Sequence, residues 1–138
     1  DQAESDPAAL ALNRDGARTV AEAAAAVGAR LVHISTDYVF DGSGEGARDE
    51  TAPVAPLNAY GRSKLAGEQA VLAAHPGATI VRTAWLYSPF GTNFVRSMIA
   101  AAEQREVLRV VADQIGNPTS ALDLADGLLA AARAGGGA

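Results

Sequence analysis

Arg30-Leu31-Val32-His33-Ile34-Ser35, followed at once by Thr36-Asp37, is the stretch on which the fold turns. It is a short apolar run rich in β-branched side chains, and it lacks the strict polar alternation of a strand with one wet face. Such a run reads as a strand covered on both faces within a parallel sheet. Upstream, Asp6 is placed to cap a helix and Pro7 to begin it. An Ala-rich segment then continues to Gly28, with Leu10, Val20, Ala24 and Val27 on one face, which predicts a helix of about 20 residues. Downstream, a long loop from Thr36 to Leu57 carries three glycines and two prolines.

The alternation then repeats. Asn58 can cap a helix from Ala59 to about Ala74, closed by His75-Pro76-Gly77, and Thr79-Ile80-Val81-Arg82 reads as the next strand. A helix over Asn93 to Arg105, a third strand over Val107 to Val111, and a last helix over Thr119 to Arg133 follow, with Thr119 or Ser120 as its cap. The order αβαβαβα predicts an α/β, doubly wound parallel sheet. Ligands of such sheets lie beyond the carboxyl ends of the strands, so function is expected in the loops that begin at Ser35, Thr83 and Ala112.

Composition narrows the chemistry. With 138 residues, 49% hydrophobic and 20% charged, the chain has the balance of one packed domain without internal repeat or linker. The formal charge of -5, with no run of Lys or Arg, argues against a nucleic-acid partner. Cysteine is absent and only His33 and His75 could serve as imidazole ligands, so disulfides, thiolate metal sites and a histidine metal cluster are excluded. No stretch is long and apolar enough for a membrane span, and the acidic start Asp1-Gln2-Ala3-Glu4 is unlike a signal peptide, so a cytoplasmic location is expected. The missing initiator Met and the Gly135-Gly136-Gly137 end suggest a segment cut at both ends from something longer.

Tyr60-Gly61-Arg62-Ser63-Lys64 puts a phenol and an ammonium four residues apart, hence on one helix face and about 6 Å apart along the axis. A free phenol titrates near pH 10. A neighbouring cation favours the phenolate and brings proton transfer within reach of neutral pH, so the two could form an acid/base pair. Lys64 is the chain's single lysine among ten arginines, which fits a task for a compact ammonium of adjustable pKa. Thr36, at the end of the first strand, can hydrogen-bond a carbonyl oxygen, although Thr36 and Asp37 could equally just start a turn. Trp85, the one tryptophan, is either core or a stacking wall for a sugar or base. His33, inside the first strand, is expected to be a satisfied structural residue. Gly42-Ser43-Gly44-Glu45-Gly46 looks like a phosphate cradle, but Pro53 and Pro56 follow where a dinucleotide fingerprint needs an immediate helix.

Thr36, Tyr60 and Lys64 together resemble the Ser/Thr, Tyr-x-x-x-Lys constellation of short-chain dehydrogenases/reductases. Within the extended, nucleotide-sugar branch, Ser-Thr-Asp-Tyr-Val-Phe-Asp-Gly (35 to 42), Ala-Tyr-Gly-Arg-Ser-Lys-Leu-Ala-Gly-Glu (59 to 68), Arg-Thr-Ala-Trp-Leu-Tyr (82 to 87) and Asp-Gln-Ile-Gly-Asn-Pro-Thr (113 to 119) resemble the dTDP-4-dehydrorhamnose reductase family. The resemblance implies a Rossmann-like sheet, present here in part: residues 1–138 would be a single catalytic portion, without the Gly-rich unit that opens the family's sequences. It implies reduction of dTDP-4-dehydro-L-rhamnose to dTDP-L-rhamnose with NADPH or NADH. Tyr60 would be the general acid, Lys64 would adjust Tyr60 and hold the cofactor ribose, and Thr36 would bind the keto oxygen. Asp37 and Trp85 would contact the sugar. A homodimer and bound magnesium are also compatible with the resemblance, although the sequence offers no metal-ligand constellation. Two alternatives remain: another extended enzyme of the class, a nucleotide-sugar epimerase or dehydratase, and a non-catalytic regulatory subunit on the same fold.

Overall fold

The computed structural model describes Asp6, residues 8–44 and residues 46–134. Pro7 as first helical residue, Glu45 of the glycine loop and the two chain ends lie outside the described residues. The Asp6 carboxylate accepts from the Ala8 amide at 2.8 Å, so the expected cap is in place. The first helix runs as α1 (Ala8–Leu10), a π-helical segment (Ala11–Gly16) and α2 (Ala17–Ala26), and ends before Gly28, whose φ of 65° suits the left-handed turn that follows.

Strand β1 (Val32–Thr36) pairs in parallel with β2 (Thr79–Thr83), Val32 opposite Thr79 and Thr36 opposite Thr83. Between them α3 (Ala59–Ala74) forms the crossover, its first turn closed by the Asn58 side chain accepting from the Gly61 amide at 2.6 Å. α3 lies against β1, against α2 and against the π-helical segment. Val39, Val71 and Ala21 are fully buried around these contacts. The contact is close because two positions on α3 carry no side chain. A Cβ at Gly67 would collide with the Asn13 carbonyl, and one at Gly61 with the Tyr38 carbonyl.

The second half differs from the expected pattern. β3 (Leu86–Tyr87) pairs in parallel with β4 (Thr119–Ser120), a two-residue ladder that the sequence did not announce. Helix α4 (Phe94–Ala102) is capped by Asn93 and stops short of Arg105, and α5 (Ala121–Ala134) starts under Ser120, whose hydroxyl accepts from the Asp123 amide at 3.4 Å. Val107 to Val111 does not form the predicted strand; it is irregular, and Val107 is 73% exposed. A β-branched run fits a pleated surface only where a neighbouring strand takes up its backbone groups. Among the described residues none pairs with this run. No described helix is long and apolar enough to cross a membrane.

Candidate active site

The carboxyl end of β1 delivers Ser35 and Thr36 to the floor of the site, both buried. Thr36 then heads a 3-10 turn, Asp37–Val39: its hydroxyl accepts from the Tyr38 amide at 3.2 Å and donates to the Asp37 carboxylate at 3.1 Å. Thr36 therefore starts a turn, as one of its two readings had it, and this does not use up its hydroxyl, which has one donor and two acceptor positions. The first turn of α3 presses on this turn through Gly61, and that approach brings Tyr60 to it. The side chains of Tyr60 and Thr36 are hydrogen-bonded, and the Tyr38 ring meets the Tyr60 ring edge-on at 6.0 Å and 85°.

Lys64 stands one turn further along α3 and donates to the Ile34 carbonyl at 2.7 Å. Burial pushes its pKa below the ordinary lysine value, while Glu68 pulls it back up. The Tyr60 phenol is pushed up, first by burial and further by Asp37 and Tyr38, with its hydrogen bond to Thr36 acting the other way. Here the structure departs from expectation: the phenol is pushed up where a lowered value was expected, and Lys64 donates to a backbone carbonyl. Thr83 lies beside Thr36 across the strands, with a buried hydroxyl that has no partner among the described residues.

Trp85 is not core. It is 44% exposed and has a φ of 46°, the one left-handed non-glycine among the described residues. Its ring lies so close to Gly116 that a Cβ there would come within 2.6 Å of Cε2, and its carbonyl accepts from the Thr119 amide. The stretches 82 to 87 and 113 to 119 thus meet at Trp85. His33 also departs from expectation: it is half-buried, but its Nε2 has no partner among the described residues, and burial, then Lys64, lower its pKa.

The glycine loop is no phosphate cradle. The Ser43 amide is taken by the Asp41 carboxylate at 3.0 Å, the Ser43 carbonyl accepts from Arg48, and no helix follows before Ala59. Among the described residues no three His, Asp or Glu side chains gather as metal ligands.

Two supporting features escaped the sequence reading. Asn13, in the π-helical segment, donates to the Ser63 hydroxyl at 2.9 Å, which donates to the Tyr60 carbonyl at 2.8 Å, so the helix turn that carries the phenol is held from behind. Arg82 grips Glu68 through two hydrogen bonds of 2.9 and 2.7 Å. Glu68 follows Lys64 by four residues, which was the available signal; its partner lies 14 residues away on another element.

In a parallel α/β unit, Thr36 at the end of β1 and Tyr60 and Lys64 on α3 stand as the resemblance to short-chain dehydrogenases/reductases implies. Residues 1–136 match the family described as RmlD substrate binding domain, and the chain belongs to it. It is 52% identical over 141 residues to dTDP-4-dehydrorhamnose reductase of Mycobacterium tuberculosis, covering 98% of this chain and 46% of that protein. It is 50% identical over 131 residues to dTDP-4-keto-6-deoxy-D-glucose reductase of Streptomyces niveus, covering 94% and 46%. The crystal structure of dTDP-4-dehydrorhamnose reductase from Bacillus anthracis in complex with NADP superposes with a TM-score of 0.92 at 49% identity, over 96% of this chain and 48% of that one. The chain spans about half the length of the relatives it matches.

Proposed function

We propose that the protein carrying this chain reduces the 4-keto group of dTDP-4-dehydro-L-rhamnose to dTDP-L-rhamnose in the cytoplasm, with NADPH or NADH as reductant. The observation that carries the reading is the meeting of the Thr36 and Tyr60 hydroxyls at the end of β1, with the Lys64 ammonium one turn away. Two hydroxyls converging at one point can bind one carbonyl oxygen, and the phenol can give it a proton. The donor set fits the nicotinamide-ribose end of a dinucleotide: Lys64 and Tyr60 would hold the ribose, beside the unpartnered Thr83 hydroxyl on the same floor. When bound, the nicotinamide supplies the hydride.

Each side chain then has a stated task. Thr36 orients the keto oxygen and Tyr60 protonates it. Lys64, leaving the Ile34 carbonyl, stabilises the phenolate that results. Asp37, joined to Thr36, contacts the sugar, and Trp85 forms one wall of its pocket. The relative from Bacillus anthracis with bound NADP supports the phosphorylated dinucleotide. A homodimer, which the resemblance allows, is tested by sedimentation of the complete gene product.

In that product Tyr60→Phe is expected to lower turnover by a factor of about 10² to 10⁴ with little change in sugar-nucleotide binding, since the hydroxyl acts in the transition state. Unchanged turnover removes Tyr60 from the mechanism. A second reading has one specific support, the 50% identity to a reductase named for dTDP-4-keto-6-deoxy-D-glucose. Comparing kcat/KM for the two 4-keto sugars separates them.

A further inference from the structure

Tyr60, Lys64 and Glu68 lie at successive turns of one face of α3, and only the first two have a task in the proposed reaction. Glu68 is 3% exposed. A carboxylate at that depth is unfavourable unless a cation and hydrogen bonds compensate it. Arg82 does both, meeting the two oxygens at 2.9 and 2.7 Å in the fork geometry that guanidinium allows. Its guanidinium also rests on the Phe40 ring, 5.1 Å from the centroid, and Phe40 closes the 3-10 turn headed by Thr36. A continuous line of contacts therefore runs from the Lys64 helix face, through β2, back to the turn that bears Thr36.

We infer that Glu68, clamped by Arg82 one helical turn beyond Lys64 on the same face of α3, is a positioning residue that holds Lys64 as an ammonium at the Ile34 carbonyl. The inference rests on the reading that Lys64 acts as an ammonium in the proposed reduction. Glu68 is bound to one cation, Arg82 on β2, and follows the other, Lys64, by one turn of α3. Glu68 is the group that raises the Lys64 pKa against the effect of burial. From β1, His33 faces the same spot, and burial keeps it neutral. A buried Arg–Glu pair adds little stability over an apolar pair of the same shape. An electrostatic task gives these two residues a purpose that packing alone does not.

The test uses two variants of opposite sign in the complete gene product. Glu68→Gln removes the anion that follows Lys64 by one turn and leaves Arg82 uncompensated, so the ammonium is lost at lower pH. The alkaline limb of the kcat profile should move down by about half a pH unit or more, with KM for the sugar nucleotide little changed. Arg82→Gln leaves Glu68 uncompensated, and the limb should move up. NMR of protein labelled at the lysine Cε, with the Lys64 signal assigned by its loss in Lys64→Arg, should follow both shifts without any turnover. A folded variant in which the limb and the Lys64 titration stay in place overturns the inference. If one variant does not fold, the other decides. If neither folds, the pair is a structural brace and the inference falls. Retained turnover in Tyr60→Phe would sink the proposed chemistry alone, because the lysine titration still reads the effect of Glu68.

Discussion

At the scale of single residues, the candidate site was legible where spacing alone places two groups on one face, and illegible where tertiary packing decides. Tyr60 and Lys64 share a helix face by their four-residue separation, and Thr36 was marked by its place at the end of an apolar run. Arg82 and Glu68 are joined only because β2 pairs with β1, on which α3 packs, and no local pattern announces that. The histidine in the first strand shows the limit in another way. Its location inside the first strand was readable, although β1 is not covered on both faces as expected, since Ile34 is 41% exposed; whether its ring nitrogen finds a partner depends on neighbours far away in sequence, and Nε2 has none among the described residues. Burial lowers the His33 pKa, so the folded protein resists a proton that the unfolded chain accepts. Stability from this residue is full above the ordinary imidazole value of about 6.5 and declines as the pH drops below it. His33→Gln should therefore flatten the fall in melting temperature between about pH 7 and 5 relative to the unsubstituted protein. Equal slopes would show that His33 does not contribute.

At the scale of elements, α3 was the most legible part of the chain. Its cap at Asn58 and its end at His75 came out as read, because caps and closing residues are local chemistry. Val107 to Val111 was misread for the opposite reason: strand propensity is realised only by a partner strand. The entry of α3 onto the 3-10 turn also governs the site. Gly61→Ala would drive a methyl into the Tyr38 carbonyl, which lies two residues from Thr36. Overpacking of this kind typically costs about 1 to 3 kcal/mol. Turnover should fall further than that loss of stability explains, because Tyr60 moves away from Thr36. Thermal unfolding and kcat measured on the same preparation separate the two effects, and a change in stability alone would mean that the helix entry does not set the site.

At the scale of the molecule, the parallel α/β class was readable from the alternation of elements, whereas the extent of the sheet was not. Among the described residues two separate parallel pairs stand in place of one continuous sheet. Much apolar surface faces outward, from Phe90 and Phe94 to Ile115, which is 99% exposed. Leu12, Val20, Leu31 and Ile34 border an apolar hollow between α2 and β1. Surface of this kind is a site of association. The 138-residue chain expressed alone is accordingly expected to associate and to show no measurable reduction of dTDP-4-dehydro-L-rhamnose. Among the described residues the pyrophosphate of a dinucleotide meets no helix N-terminus behind a glycine-rich turn. Tight NADPH binding by the isolated chain, read as quenching or transfer of fluorescence, would contradict this.

The ring packed on Gly116 has one more consequence. Because Trp85 is the only indole in the chain and sits half in water where two distant segments touch, its emission is a built-in optical gauge of that junction. Separation of the 113 to 119 stretch from the ring would bathe the indole in solvent and move its emission to longer wavelength, while a sugar laid on the exposed face would dim it or shift it the other way. One intrinsic fluorophore can thus tell occupation of the proposed sugar site from separation of the two segments, without any label being attached.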